Sequence, residues 1–348
     1  RERKEKDMQN KNINIKKRKK PRIRIGRLLL VILIPVCLIA GISSFYLWKI
    51  NQERTEEIET IMAARNAYEK EIAQTVCPDN APQDLFEQIK ANALACGKSD
   101  YEKLASFEGK DIRNYHDLAL AAKEKNETME SCYRKIMKNM PLYDNENYFK
   151  FMLKENDTRQ RLQFMSRFDQ KEQMTDAPAA LSESLDEVPA LIQWDDRWGY
   201  VPYGDWYIAF AGCGPTSISM IASYLKQDAS ITPVAVASRA MELDQYENGA
   251  GTKWSFYTVM ADEYGLNHDE MYDPSAEDIV RSLQQGNLII LSLRPGDFTA
   301  TGHFIVLTGL DENGQVTIHD PNSMENSNKT WDPQRLASQA AAMWSFWK

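Results

Sequence analysis

The sequence predicts an α+β domain in which a helix opens onto a mostly antiparallel sheet, carried on a helical segment and one membrane-spanning helix. Three observations lead there. The run Leu28 to Trp48 holds 21 residues without a charge, and about 20 apolar residues at 1.5 Å rise each are enough to cross a bilayer. Mixed-charge stretches with helical spacing follow it. After Pro189 aromatics, glycines and short apolar runs become dense, and one helix-like segment precedes several strand-like ones.

The charge balance orients the chain. The 348 residues carry 42 Lys and Arg against 50 Asp and Glu, a formal net charge of −8. The first 27 residues alone hold 13 basic and three acidic groups, +10, which leaves −18 for the remainder. A basic cluster directly before an apolar span keeps that end cytoplasmic and is drawn to anionic lipid. Residues 1–27 are thus expected as a cytoplasmic tail and 28–48 as a single span, with everything beyond lying outside the cell. Pro35 and Gly41 are tolerated within a membrane helix, and Phe45, Tyr46 and Trp48 suit its outer interface. The acidic body argues against nucleic acid as a partner.

Residues 49–146 read as a helical extracytoplasmic stalk. Ile58, Ile61, Met62, Ala64 and Tyr68 recur at helical spacing, as do Leu85, Ile89, Ala93 and Leu94. Residues 147–188 read as one helix, Asn147 to Phe168, and a linker rich in Ser, Asp, Glu, Ala and Pro. The last segment, 189–348, is the α+β domain. Cys213 to Gln227 is its helix, Asp278 to Gln285 a shorter one. Leu288–Leu293, Phe304–Leu310 and Val316–Ile318 are its strands.

There are five cysteines: Cys37, Cys77, Cys96, Cys132 and Cys213. Cys37 lies in the span. Outside the cell disulfides are permitted, and Cys77–Cys96 is the first candidate pair. Neither a metal nor a cofactor is expected, because no two cysteines have zinc-ligand spacing and there are only four histidines.

Three features of the C-terminal domain converge on one chemistry. Gly212-Cys213-Gly214-Pro215-Thr216-Ser217 opens an apolar helix, and the positive end of a helix macrodipole favours a thiolate there. Gly302-His303 opens a strand. Asp320 follows the next strand, across an Asp311-Glu312-Asn313-Gly314 hairpin turn. A four-residue loop sets Leu310 opposite Gln315, Ile305 opposite Asp320 and His303 opposite Asn322. His303 and Asp320 then become diagonal neighbours on one face, within reach of each other. His319 has the opposite parity and points away. A thiolate nucleophile, an imidazole base and an acidic orienter form the set used by cysteine hydrolases.

The chain resembles the papain-like cysteine peptidases related to the double-glycine bacteriocin-leader peptidases, and especially the membrane-anchored branch of Gram-positive bacteria. The resemblance is carried by Gln193-Trp-Asp-Asp-Arg-Trp-Gly-Tyr200, Gly212-Cys-Gly-Pro-Thr-Ser217, Gly249-Ala-Gly-Thr-Lys-Trp254, Arg294-Pro-Gly-Asp-Phe-Thr299, Gly302-His-Phe-Ile-Val306 and Asp320-Pro-Asn-Ser323. It covers about residues 189–348 and is weaker from Asn147. It implies a papain-like fold, Cys213 as nucleophile, His303 as base, Asp320 as third member and an oxyanion glutamine upstream of the cysteine. Gln193 is the candidate, although it stands 20 residues before Cys213, whereas the leader peptidases place theirs only a few residues before. The expected activity is hydrolysis of a peptide or protein substrate at the outer face of the cell membrane. A cell-wall peptide hydrolase or transpeptidase with the same residues, associated with the wall, is one alternative. A non-catalytic binding or scaffold module on this fold is the other.

Overall fold

The computed structural model describes residues 25–107, 112–120, 122, 126–174 and 176–348. The expected basic tail therefore lies almost wholly outside the described residues. The chain divides into two compact units, one ending at Ile61 and one running from Met62 to Lys348.

Helix α1 spans Ile25–Gln74 without interruption at Pro35. Its residues from Leu30 to Trp48 are exposed throughout, and the helix is long and apolar enough to cross a membrane.

Within the second unit six further helices follow: α2 (Gln83–Ala95), α3 (Lys98–Ala105), α4 (Ile112–Leu120), α5 (Glu127–Asn139), α6 (Glu146–Met152) and α7 (Thr158–Met165). The single helix expected from Asn147 to Phe168 is in fact two. Helix α6 ends at Met152 with Leu153 as its C-cap, and Asp157, at φ 55°, is the N-cap from which α7 sets off. A short 3-10 turn, Phe168–Gln173, closes this region.

This region is no free-standing spacer. Tyr68, Ile72, Phe86, Ile136, Phe149, Phe164 and Phe168 share one buried cluster with Trp194, Tyr200 and Ala209. Phe164 stacks on Tyr200 at 4.2 Å with an 8° interplanar angle, and the Tyr200 hydroxyl donates to the Phe164 carbonyl at 2.7 Å. Aromatic rings bury large apolar areas and pair favourably beyond that burial. The dense aromatics at 143–168 and 194–210 are thus two halves of one core.

The α+β part begins with a small hairpin, β1 (Pro202–Tyr203) and β2 (Trp206–Tyr207), and continues through α8 (Ile208–Ala211), α9 (Cys213–Lys226) and α10 (Pro233–Glu242). A second hairpin, β3 (Tyr246–Glu247) and β4 (Gly251–Thr252), precedes α11 (Phe256–Tyr264), β5 (Asn267–Tyr272) and α12 (Ala276–Gln284). Then come β6 (Leu288–Leu293), β7 (His303–Leu310), β8 (Val316–His319), α13 (Met324–Ser327), β9 (Thr330–Trp331), α14 (Pro333–Ala337) and β10 (Ala340–Trp347). Six strands form one antiparallel sheet in the order β5-β10-β6-β7-β8-β9.

The sheet has helices on both faces. Alternation along β7 sends Phe304 and Val306 into a cluster with Ile218, Ile221 and Tyr257 of α9 and α11, and Ile305 and Leu307 into one with Ile279, Leu283 and Leu336 of α12 and α14. Helix α9 is buried over nearly its whole length, as a central helix against a sheet must be.

The β7–β8 register departs from expectation at the turn. Leu310 pairs with Val316 rather than Gln315, because the Asp311 N–H reaches the Gln315 carbonyl and closes a tighter loop. A bulge at Thr308 then takes up one residue, so that Leu307 meets Ile318 and Val306 meets His319. Beyond the bulge the register is the expected one.

The Cys77–Cys96 pair is not formed, and all five cysteines are free thiols. The Cys77 thiol instead contacts the Pro78 and Ala81 carbonyls, while Cys96 caps α2 among buried groups.

A shared aromatic core makes a definite prediction. Phe164→Ala should cost about 3–5 kcal/mol, and urea unfolding of the chain should show helical and α+β signals falling in one transition. Two separated transitions, with only the first moved, would mean that the two regions fold apart.

Candidate active site

Cys213 is the first residue of α9, with Gly212 as its N-cap. The helix starts there because Gly212 accepts the Thr216 N–H at 2.9 Å and Pro215, in the first turn, lacks an N–H that would go unpaired. Gly214 has a steric reason as well. A Cβ on it would lie 2.7 Å from the Thr252 Oγ1 of β4, so the second hairpin closes directly on the cysteine turn. Thr252 is held there by the Tyr203 hydroxyl at 3.0 Å.

His303 begins β7 and is 5% exposed. Its Nε2 lies 2.6 Å from Asp320 Oδ1, and Cys213 is near enough to act on the imidazole electrostatically. Burial disfavours the charged imidazole, but the Asp320 carboxylate and Cys213 outweigh it and raise His303 to about 9.

Asp320 is 1% exposed, yet its carboxyl is held below the usual carboxylate range. Burial works against that, and the His303 charge with three hydrogen bonds overcomes it. Besides His303, Oδ1 accepts the Asn322 N–H at 2.8 Å. Oδ2 accepts the Asn326 side-chain amide at 2.8 Å. The Asp320 backbone N–H meets Ser327 Oγ at 2.8 Å. His319, its chain neighbour, faces away and bonds the Val188 carbonyl through Nε2 at 2.9 Å.

Gln193 is also brought to this place, despite its distance in sequence. Its backbone N–H donates to the Pro321 carbonyl at 2.7 Å. Its side-chain amide donates to the Ala209 carbonyl at 2.8 Å, so it bridges the loop after Asp320 and the short helix before Cys213. Its Oε1 is buried without a partner.

Several neighbours carried no sequence signal. Burial and the Arg161 charge pull Lys154 down to about 8, while Asp320 and Cys213 pull it back up. Arg161 is 1% exposed, and burial brings it down to about 10, still protonated at neutral pH. Tyr257 of α11 is fully buried in the same cluster as α9; its hydroxyl has no partner, and burial with Cys213 nearby raises it well above 10. These residues come from elements distant in sequence, and no local pattern announces them. Asn322 lies inside the Asp320-Pro-Asn-Ser motif, and Asn326 stands four residues further on. Among the described residues no group of three or more His, Cys, Asp and Glu side chains is arranged to hold a metal ion.

In linkage terms the two buried partners act in opposite directions. His303, raised from 6.5 to about 9, stabilises the fold fully below pH 6.5 and loses that contribution as pH rises through about 9. Asp320, depressed from 3.8, contributes above that value and loses its share as pH falls through its lower one. The stability difference between the wild type and His303→Gln should therefore shrink as pH rises from 6.5 through 9. Urea unfolding at a series of pH values measures it, and a difference constant across that range contradicts the pairing.

Residues 185–347 match the family model described as Peptidase_C39 like family. A crystal structure of a C39-like peptidase from Bacillus anthracis is similar in part: it is 17% identical and the match covers 49% of this chain and 97% of that chain, with a TM-score of 0.29. No curated protein matches the chain. The family match supports a C39-type cysteine peptidase for the C-terminal part of this chain.

Proposed function

We propose that this chain is a membrane-anchored, extracytoplasmic cysteine peptidase that hydrolyses peptide or amide bonds with Cys213, His303 and Asp320. The single observation that carries the reading is the buried 2.6 Å contact between His303 Nε2 and Asp320 Oδ1, with Cys213 nearby at a helix N-terminus. A buried imidazole raised to about 9 is protonated at neutral pH and stabilises an adjacent thiolate.

In the first half-reaction the Cys213 thiolate attacks the scissile carbonyl carbon. The C–S bond forms as the carbonyl π pair moves to oxygen. The Cys213 backbone N–H, at the open end of α9, is available to that oxyanion, and the second amide N–H of Gln193 is the side-chain candidate. The C–N bond then breaks, and imidazolium His303 gives its proton to the leaving amine. In the second half, neutral His303 takes a proton from water, hydroxide attacks the thioester, and collapse releases the carboxylic acid and the thiolate. Asp320 holds the ring in its orientation and offsets the imidazolium charge throughout.

The membrane reading rests on the apolar helix α1 and on the basic residues that precede it. The −18 charge of residues 28–348 makes basic or neutral peptides better partners than anionic ones, an effect that salt screens.

The test is selective labelling and loss. Iodoacetamide should alkylate Cys213 at neutral pH well before Cys77, whose thiol burial pushes up, or Cys96, which burial raises to about 11. Cys213→Ala should abolish cleavage across a peptide library by the full chain. A membrane-impermeant maleimide should reach Cys213 in intact cells. Retained hydrolysis in Cys213→Ala, or a Cys213 that reacts only at alkaline pH, overturns the reading.

A further inference from the structure

Residues 156–161 reach the acid of the candidate site from outside the region that matches the peptidase family. Both Asp320 oxygens are addressed by groups that this segment braces. Asn326 gives its amide N–H to Oδ2 at 2.8 Å. Its other amide atom, Oδ1, accepts from the Asn156 side-chain amide at 3.1 Å. An asparagine side chain has one donor end and one acceptor end. By occupying the acceptor end, Asn156 ensures that Asn326 presents N–H, and not oxygen, to the carboxylate.

The second route runs through Arg161. Its Nε donates to the Asn156 carbonyl at 2.9 Å and its Nη1 to Asn322 Oδ1 at 3.1 Å, while Nη2 donates to the Asn322 carbonyl. The guanidinium is fixed in place between the rings of Phe151, 4.7 Å away, and Trp194, 5.1 Å away. Trp194 Nε1 adds a bond to the same Asn322 carbonyl at 3.1 Å. Asn322 in turn supplies the N–H on Asp320 Oδ1. The loop between is anchored by Asp157, which accepts from Ser323 Oγ at 2.8 Å and from the Glu325 N–H at 3.2 Å. The Asp157 N–H itself donates to Glu325 Oε1 at 2.8 Å. Asn156, Asp157, Arg161, Asn322 and Asn326 are all largely shielded from solvent, so water is a poor substitute for the lost partners.

We propose that Asn156 and Arg161 are positioning residues for Asp320: through Asn326 and Asn322 they fix the two oxygens of the carboxylate that orients His303, making the helical region upstream of the peptidase-like domain part of its active site. The inference rests on the proposed roles of Asp320 and His303. The charged groups facing the carboxylate are His303, Arg161 and Lys154, with Cys213, Asp157 and Glu325 nearby.

The test uses the full chain and needs no substrate. The iodoacetamide alkylation rate of Cys213 is followed against pH, with site-resolved mass spectrometry separating it from the other four cysteines. Asn156→Ala changes no charge, and Arg161→Lys keeps the charge but loses the planar fork. In both, a less firmly held Asp320 supports protonated His303 less well. The half-maximal pH for Cys213 alkylation should therefore rise by roughly half to one unit, with a roughly three- to tenfold lower rate at pH values below the wild-type midpoint. Asn145→Ala, which removes only the cap bond from the Asn147 N–H, should leave the profile unmoved.

Profiles of Asn156→Ala superimposable on the wild type overturn the proposal, whatever Arg161→Lys does to folding. So does a loss of reactivity that follows a lowered unfolding temperature with the half-maximal pH unchanged. Failure of the underlying reading looks different: the wild-type Cys213 would itself titrate as an ordinary thiol, and Cys213→Ala would still hydrolyse peptides.

Discussion

A carboxylate with 1% exposure, as Asp320 has, is stable as an anion only if its lone pairs are answered and its charge is met. Here the answers come from three places in the chain. His303 supplies a ring N–H and positive charge from the start of β7, Asn322 a backbone N–H from the following loop, and Asn326 an amide from α13. The upstream helices hold the last two through Asn156 and Arg161. This one buried pair therefore links the central strand of the sheet, the loop after β8 and the α6–α7 region. It also fixes the orientation of the His303 ring.

The rest of the architecture serves that geometry. Burial of α9 against β7 packs Cys213, at the start of α9, onto the core that holds Phe304 and Val306 of β7. The hairpin at Thr252 lies over the cysteine turn, and its approach requires glycine at position 214. Gln193 ties α8 to the loop after Asp320 by one side-chain and one backbone bond. An aromatic core built from both α7 and the Trp194–Phe210 stretch holds the upstream helices firmly enough for their side chains to brace the acid.

Much of this was legible locally. The Cys213 helix, the strand at Leu288–Leu293, and the hairpin across Asp311–Gly314 follow from periodicity and turn residues. The diagonal relation of His303 and Asp320 followed from strand alternation, even though the turn register was off by one residue. The Thr308 bulge compensated for it. What escaped was long-range. Strand β10 opens with three alanines, a weak strand signal, and forms because β5 and β6 flank it. Strand β5, Asn-His-Asp-Glu-Met-Tyr, is polar because it lies at the sheet edge. Lys154, Asn156 and Arg161 fall inside the stretch that reads as one helix from Asn147 to Phe168. Only the folded chain shows that their surroundings are the Asp320 loop, with the chain broken between α6 and α7 and Asp157 left-handed at the start of α7.

The central claim is that Asp320 holds His303 protonated at neutral pH. Following the His303 ring protons by NMR across a pH titration tests it directly, in the wild type and in Asp320→Asn. The account predicts a wild-type midpoint near 9 that drops to or below the ordinary 6.5 when the carboxylate charge is removed, because burial then acts unopposed. A midpoint near 6.5 in both proteins would contradict it.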